Sequence, residues 1–322
     1  MPAGARQALA CQLLFFLYKT KTFEEACLSM ELLASRYWRD ADLTGLQLTA
    51  NTLLHHAIRP HRHVGFTLSV SNTELHVRTC NRVTVVPPGA MLRIAPQVWH
   101  SVQACGVPWR EDAMYCSSAV ARCISAAHES TGLARVEDDA GISVFLDASE
   151  ASDFLECHRL LYEPTSTGLG NEEDNAVGRA LLRQRLARWI PLRTPSARVV
   201  DSGDDRMNRL YELIASGFHQ RMTLDSLADA AGLHPVHVQR RFKGAMGFTP
   251  HEMVVGHRIE YARDLIAGGA RVTYAAHAAG FTDQSHLHKT FLGTYAVLPG
   301  DYRRLSAFDA LQPPSARNGI AG

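Results

Sequence analysis

Two hydrophobic periods divide the chain. From Leu46 to about Cys116, apolar and polar residues alternate in short runs (LQLTANTLL, GFTLSV, ELHVRT, RVTVV, MLRIA), and a period of two predicts β-strands. Turn residues separate them at Ser71-Asn72, Cys80-Asn81 and Pro87-Pro88-Gly89. Short strands at such close spacing predict a small antiparallel barrel or sandwich. After Ser117 the period becomes helical, in SSAVARCISAA, ASDFLECHRLLYE and EDNAVGRALLRQRLARWI. In the last of these Val177, Leu181, Leu182, Leu186 and Trp189/Ile190 form one apolar stripe, which either packs back on the strands or pairs with a second subunit to make a homodimer. Between Ile190 and Arg206, two prolines, Ser, Gly and the acids Asp201, Asp204 and Asp205 predict a linker.

From Arg206 to Arg304 the pattern is helical, with clear start and stop signals. Thr223 caps LDSLADAA, which stops at Gly232; Pro235 opens PVHVQRRFKGAM, which stops at Gly247. Thr249-Pro250 caps and opens a long helix with the stripe Val255, Ile259, Ala262, Ile266, ended by Gly268-Gly269. A short helix, VTYAAHAA, stops at Gly280, Asp283 caps QSHLHKTFLGTY, and Pro299 opens a short closing turn.

Composition refines this picture. At about 150 residues per domain, 322 residues make roughly two domains, and 46% apolar with 20% charged residues excludes a chain disordered throughout. The net charge of +1 gives no global attraction for a polyanion, yet residues 206–304 carry 12 Lys and Arg against 8 Asp and Glu, so the cations gather at one end. Seven cysteines, odd in number and without CxxC spacing, read as small hydrophobes and spare thiols. The longest apolar run, Ala8 to Tyr18, falls short of the roughly 20 residues a bilayer span needs. It also leads into lysines rather than a cleavage site, so no membrane association and a cytoplasmic location are expected.

A short helix, a glycine turn and a longer helix occur twice, in LDSLADAAGLHPVHVQRRF and VTYAAHAAGFTDQSHLHKTF. Each reads as a helix-turn-helix unit, with alanines allowing close approach and glycine supplying the positive φ of the turn. Val238 and Phe242, then Leu287 and Phe291, face inward; Gln239, Arg240, Gln284, Ser285, His288 and Lys289 are left for a major groove. Arg can read guanine and Gln adenine by paired hydrogen bonds, whereas Lys serves guanine or phosphate. Arg241 and Lys243 would flank them on the DNA backbone.

The segments GFTPHEMVVGHRIEYARDLI, AAGFTDQSHLHKTF and LPGDYRR resemble the C-terminal DNA-binding domain of AraC/XylS-type transcription regulators over about a hundred residues. Carried over, the family's DNA-facing positions fall on Pro235, Val236, Gln239 and Arg240, and on Gln284, Ser285, His288 and Lys289. Its core positions fall on Leu227, Ala228, Phe242, Ile259, Ala262, Gly280, Phe281, Phe291, Pro299 and Tyr302. Three features depart from the family: His234 stands where a polar N-cap is usual, Ala275 replaces a branched aliphatic residue, and GTYAVLPGDYRR lacks the usual glycine and basic residues. RYWRDADLTGLQL, PHRHVGFTLSV and RVTVVPPGAMLRIAPQVWHSVQ resemble, more loosely, the family's cupin-like sensor, whose barrel binds small effectors inside.

The resemblance implies an α+β chain of two domains: an N-terminal cupin-like β-barrel with flanking helices, and a C-terminal all-α domain of two helix-turn-helix units joined by a long helix. The expected boundaries are an extension at 1–29 with Met30 a candidate start, a sensor at 30–190, a linker at 191–205, the DNA-binding domain at 206–306 and a disordered tail at 307–322. Expected partners are double-stranded promoter DNA, RNA polymerase and a small-molecule effector.

Within the sensor, His63, His76, Trp99 and His100 are the candidates for an effector pocket. His61 and His63 with His76 and His100 suggest a cupin metal site, but an enzymatic cupin wants a Glu four or five residues after its HxH, and Glu74 is eleven past His63. Polar pocket histidines without metal or cofactor are therefore expected. His55 and His56 would lie on opposite faces of a strand, and Gly168 and Gly170 sit in a polar loop. No paired carboxylates, Ser-His-Asp order or phosphate loop appears in credible context, so the chain is not expected to be an enzyme. A cupin-type metalloenzyme with an appended DNA-binding module is the rival reading.

Overall fold

The computed structural model describes residues 32–39, 45–54, 57–80, 82–117, 120, 141–162, parts of 180–190, and 203–311. The expected extension at 1–29, the SSAVARCISAA segment apart from Ser117 and Val120, His55-His56, Gly168, Gly170, Val177 and linker residues 191–202 lie outside them.

Among the described residues of the first domain there are ten antiparallel strands: β1 (Leu32–Arg39), β2 (Leu46–Leu53), β3 (Ala57–His61), β4 (Phe66–Ser71), β5 (Leu75–Arg78), β6 (Val83–Val86), β7 (Met91–Ile94), β8 (His100–Ala104), β9 (Trp109–Cys116) and β10 (Ile142–Phe145). They form a six-stranded sheet, β1-β2-β9-β4-β7-β10, facing a four-stranded one, β3-β8-β5-β6. Strands β1 and β10 are corrections to the sequence reading, which began the strands at Leu46 and ended them at Cys116. β10 is four residues without alternation, too short for a period to show.

Register sorts the side chains by face. Leu46, Leu48, Phe66, Leu68 and Met114 point outward, where α1 (Ala148–Tyr162) and a helical stretch within 180–189 cover them with Ala151, Phe154, Cys157, Leu182, Leu186 and Trp189. The apolar stripe thus packs back on the strands. Residues paired across β2, β9 and β4 share the opposite, inward face, which carries Thr49, Asn51, Thr67, Ser69, Ser71, Glu111 and Tyr115 beside Leu53, Trp109, Leu92 and Ile94. The barrel interior is therefore part polar.

Seven helices build the second domain: α2 (Asp205–Gly217), α3 (Leu224–Ala231), α4 (Pro235–Met246), α5 (Pro250–Ala267), α6 (Val272–Ala278), α7 (Gln284–Tyr295) and α8 (Pro299–Leu311). Two differences from the sequence reading follow from local chemistry. Asp204 is no linker residue: its carboxylate accepts from the Arg206 N–H and caps α2, which Asp205 begins. The closing turn is instead the helix α8, reaching five residues into the segment expected as a tail.

Candidate nucleic-acid interface

Capping fixes both helix-turn-helix units. Thr223 accepts from the Ser226 N–H while the Ser226 hydroxyl accepts from the Thr223 N–H, and Gly232 at φ 62° closes α3 in the left-handed region. His234 performs the N-cap role itself, its Nδ1 accepting from the Val236 N–H at 3.4 Å, with Pro235 opening α4. In the second unit Gly280 turns at φ 82° and Asp283 accepts from the His286 N–H at 2.8 Å. Where glycine is usual after α7 stands Ala296, at φ 53°, with its methyl packed into the barrel's inner cluster.

The two units hang on one rod. Met253 and Val254 of α5 join the first core, with Met207, Leu210, Leu227, Val238 and Phe242. Ile259, Ala262 and Ile266 join the second, with Ala275, Ala276, Phe281, Leu287 and Phe291. Eighteen residues at 1.5 Å make α5 about 27 Å long. Of the expected core positions, Gly280 and Tyr302 are half-buried and the other eight buried.

Opposite those cores, Val236, Gln239 and Arg240 on α4, and Gln284, Ser285 and Lys289 on α7, are exposed; Pro235 and His288 are half-buried. Among the described residues neither Arg240 nor Lys289 has an ion-pair partner, so both charges are uncommitted. Arg241, expected as a backbone contact, bonds Asp204 at 2.7 Å, and against the opposing effect of burial that contact holds the carboxyl of Asp204 below its usual range. Gln284 is pre-oriented, accepting from the Thr273 hydroxyl at 2.7 Å and lying 3.3 Å from the His288 ring.

The barrel rests on the back of this rod. Trp99 is 4% exposed, packs with the first core, stands 5.0 Å from the His257 ring and donates its Nε1–H to the Tyr211 hydroxyl at 3.3 Å. A Cβ on Gly256 would come within 2.5 Å of the Trp99 ring, so only glycine permits this approach. Arg62 grips Glu260 through both its Nε (2.9 Å) and its backbone N–H (3.1 Å). Arg78 lies over the Phe248 ring at 4.8 Å and 3.6 Å from Glu252. Burial raises Glu260 to about 7 despite Arg62, and lowers His257 to about 4, with Arg62 adding to the effect.

The four expected pocket residues therefore part company. Trp99 is a domain-seam residue rather than a pocket wall. His76 lies apart, partly exposed, with Glu74 (3.0 Å) and Cys105 (3.6 Å). His63 and His100 do come together, joined by His61, with ring centroids 4.3–5.2 Å apart. Sequence reasoning left His61 out of its pocket set, although its i, i+2 spacing from His63 was the available signal. A cleft of about 320 Å³ opens in the DNA-binding domain, lined by Leu224, Gln239, Pro250, His251 and Val254 among others.

Residues 227–305 match the family model described as a helix-turn-helix domain. A putative AraC-like transcription regulator of Streptomyces lividans is 36% identical over 83 residues, 26% of this chain and 27% of that protein. Residues 227–305 are a helix-turn-helix domain similar to those of AraC-like regulators. The transcriptional activator RhrA of Rhizobium meliloti (strain 1021) is 29% identical over 130 residues, 39% of each protein. The chain spans about a third of the length of the curated relatives it matches. An apo ToxT variant from Vibrio cholerae strain SCE256 aligns over 81% of this chain and 97% of its own, at 12% identity and a TM-score of 0.43. Among the described residues no helix is long and apolar enough to cross a membrane.

Proposed function

We propose that this chain is a sequence-specific DNA-binding transcription regulator, controlled by a small molecule bound inside the barrel and governing the use of promoters by RNA polymerase. The observation that carries the reading is the pair of helix-turn-helix units fixed to one helix, each burying an apolar face and leaving Gln, Arg or Lys outward. With its end turns, an α5 of about 27 Å is the right length to set two recognition helices one B-DNA turn apart, about 34 Å. Arg240 and Gln239 would read bases from α4; Gln284, Ser285, His288 and Lys289 would meet the next groove from α7, with Pro235 and Val236 against the sugar-phosphate wall.

The effector reading draws support from the part-polar interior, where Thr49, Asn51, Thr67, Ser69 and Glu111 can hold a polar ligand and burial raises Glu111 to about 7. A ligand there shifts DNA binding only if it binds two arrangements of the barrel on α5 unequally. Selection of bound duplexes from a random pool, with and without candidate metabolites, tests both parts. Enrichment of a two-part motif supports the DNA reading, a pool left unenriched contradicts it, and an enrichment no metabolite alters removes the effector.

A further inference from the structure

We propose that Glu74, His76 and Cys105 form a site for one divalent metal ion of the zinc class on the outer face of the four-stranded sheet. Cys105 lies 31 positions from Glu74 in the chain, and strand pairing brings them together. In the ladder between β5 and β8, Leu75 stands opposite Ala104 and His76 opposite Gln103. Extended by one place, that register sets Cys105 across from Glu74, and the Cys105 N–H donates to the Glu74 carbonyl at 2.9 Å. Leu75 and Ala104 point into the barrel's inner cluster, so Glu74, His76 and Cys105 share the opposite face.

The three donor atoms already stand at the corners of a coordination tetrahedron. Cys105 Sγ lies 3.6 Å from His76 Nε2 and 3.5 Å from Glu74 Oε1, and His76 Nε2 lies 3.0 Å from Glu74 Oε1. A tetrahedral zinc ion about 2.3 Å from sulfur, about 2.0–2.1 Å from nitrogen and about 2.1 Å from oxygen separates those pairs by about 3.6, 3.6 and 3.4 Å. Two distances therefore match within about 0.1 Å, and the third has to open by about 0.4 Å.

The donor set suits such an ion. One thiolate and one carboxylate balance a charge of two, and with an imidazole they make a sulfur, nitrogen and oxygen set that selects zinc over the all-oxygen shells of magnesium and calcium. The ion replaces the hydrogen bonds that hold the cluster. The Cys105 thiol, which donates to Glu74 Oε1, gives up its proton to solvent, and His76 presents the Nε2 lone pair with its proton carried on Nδ1. The side chains of His76 and Glu74 are 41% and 43% exposed and Cys105 is exposed, so the ion arrives from solvent and water can take the fourth position. Bound there, it ties β5 to β8. Arg78, two residues on from His76 along the same face, meets Phe248 and Glu252, so the tied strand runs on into the seam with the DNA-binding domain.

Spacing hid this site, because no CxxC marks it and the thiol comes from the next strand of the sheet. The inference stands apart from the DNA-binding reading, since metal binding is measured without DNA.

The test is titration of the reduced, chelator-stripped full-length protein with Co(II), followed by Zn(II). Expected are d–d bands of tetrahedral intensity, a thiolate-to-cobalt band that saturates at one equivalent, and loss of that band to Zn(II). Cys105→Ser should abolish the thiolate band, and Glu74→Gln and His76→Ala should each weaken Co(II) by at least about tenfold, while Cys80→Ser leaves the band unchanged. All of these positions are at least partly exposed, and an unchanged metal-free thermal midpoint shows that each variant folds. X-ray absorption on the wild-type zinc form supplies a check independent of any variant, with one sulfur and the remaining neighbours nitrogen or oxygen. Absence of a thiolate band, a band that persists in Cys105→Ser or is lost in Cys80→Ser, a first shell without sulfur or with more than one, or full affinity in Glu74→Gln and His76→Ala would each overturn the assignment.

Discussion

Gly256→Ala tests whether the barrel is seated on the rod as described. The new methyl would sit 2.5 and 2.7 Å from two Trp99 ring carbons and 3.1 Å from the Pro60 carbonyl oxygen. Ordinary carbon contacts are about 3.5–4.0 Å, so something must move by about 1 Å. Forced overpacking of this kind costs about 1–3 kcal/mol, whereas alanine in a helix interior gains about 1 kcal/mol over glycine. The net expectation in the intact chain is a loss of up to about 2 kcal/mol. Removing the obstacle reverses the sign: in a Trp99→Ala background the same substitution should stabilise by about 1 kcal/mol. Urea unfolding followed by helix circular dichroism on the four proteins gives the coupling energy, expected at about 1–3 kcal/mol. A Gly256→Ala that stabilises the wild-type chain by the same amount as the Trp99→Ala chain would refute the packing.

Further outcomes concern pH and DNA. His257 titrates near 4 in the fold against about 6.5 unfolded, so the stability its neutral ring contributes is complete above 6.5 and lost as pH falls toward 4. Its share between pH 7 and pH 5 is about 2 kcal/mol, and His257→Leu should shrink the acid sensitivity measured by urea titration by that amount; an unchanged difference refutes it. Arg240→Ala should cost about 1–3 kcal/mol and relax preference at one base position, whereas a uniform loss across sequences marks a phosphate contact. Lys289→Ala should flatten the slope of log affinity against log salt by about one, and an unaltered slope removes Lys289 from the backbone.

The C-terminal domain was legible because its helix boundaries are written locally. Thr223, Gly232, Thr249-Pro250 and Asp283 act on backbone groups within a few residues, so sequence alone fixes them. The central strands were legible because one face is covered by helices and the other faces the interior. The seam was not. His257 and Glu260 lie off the α5 stripe of Val255, Ile259, Ala262 and Ile266, and Trp99 and Arg62, arriving from far earlier in the chain, help to bury them. Trp99 belongs to the same problem, since nothing near it announces a partner on α5. The three-histidine cluster was half legible: His61 and His63 share a motif, but His100 joins through the pairing of β8 with β3, a register that no local pattern encodes.

The most direct measurement is hydroxyl-radical footprinting of the full-length protein on a selected operator. Two protected tracts centred about 10 base pairs apart on one face of the duplex are expected, as two recognition helices on one rigid rod require. A single short tract, or two tracts whose spacing varies freely between sites, would contradict the pairing of both units through α5.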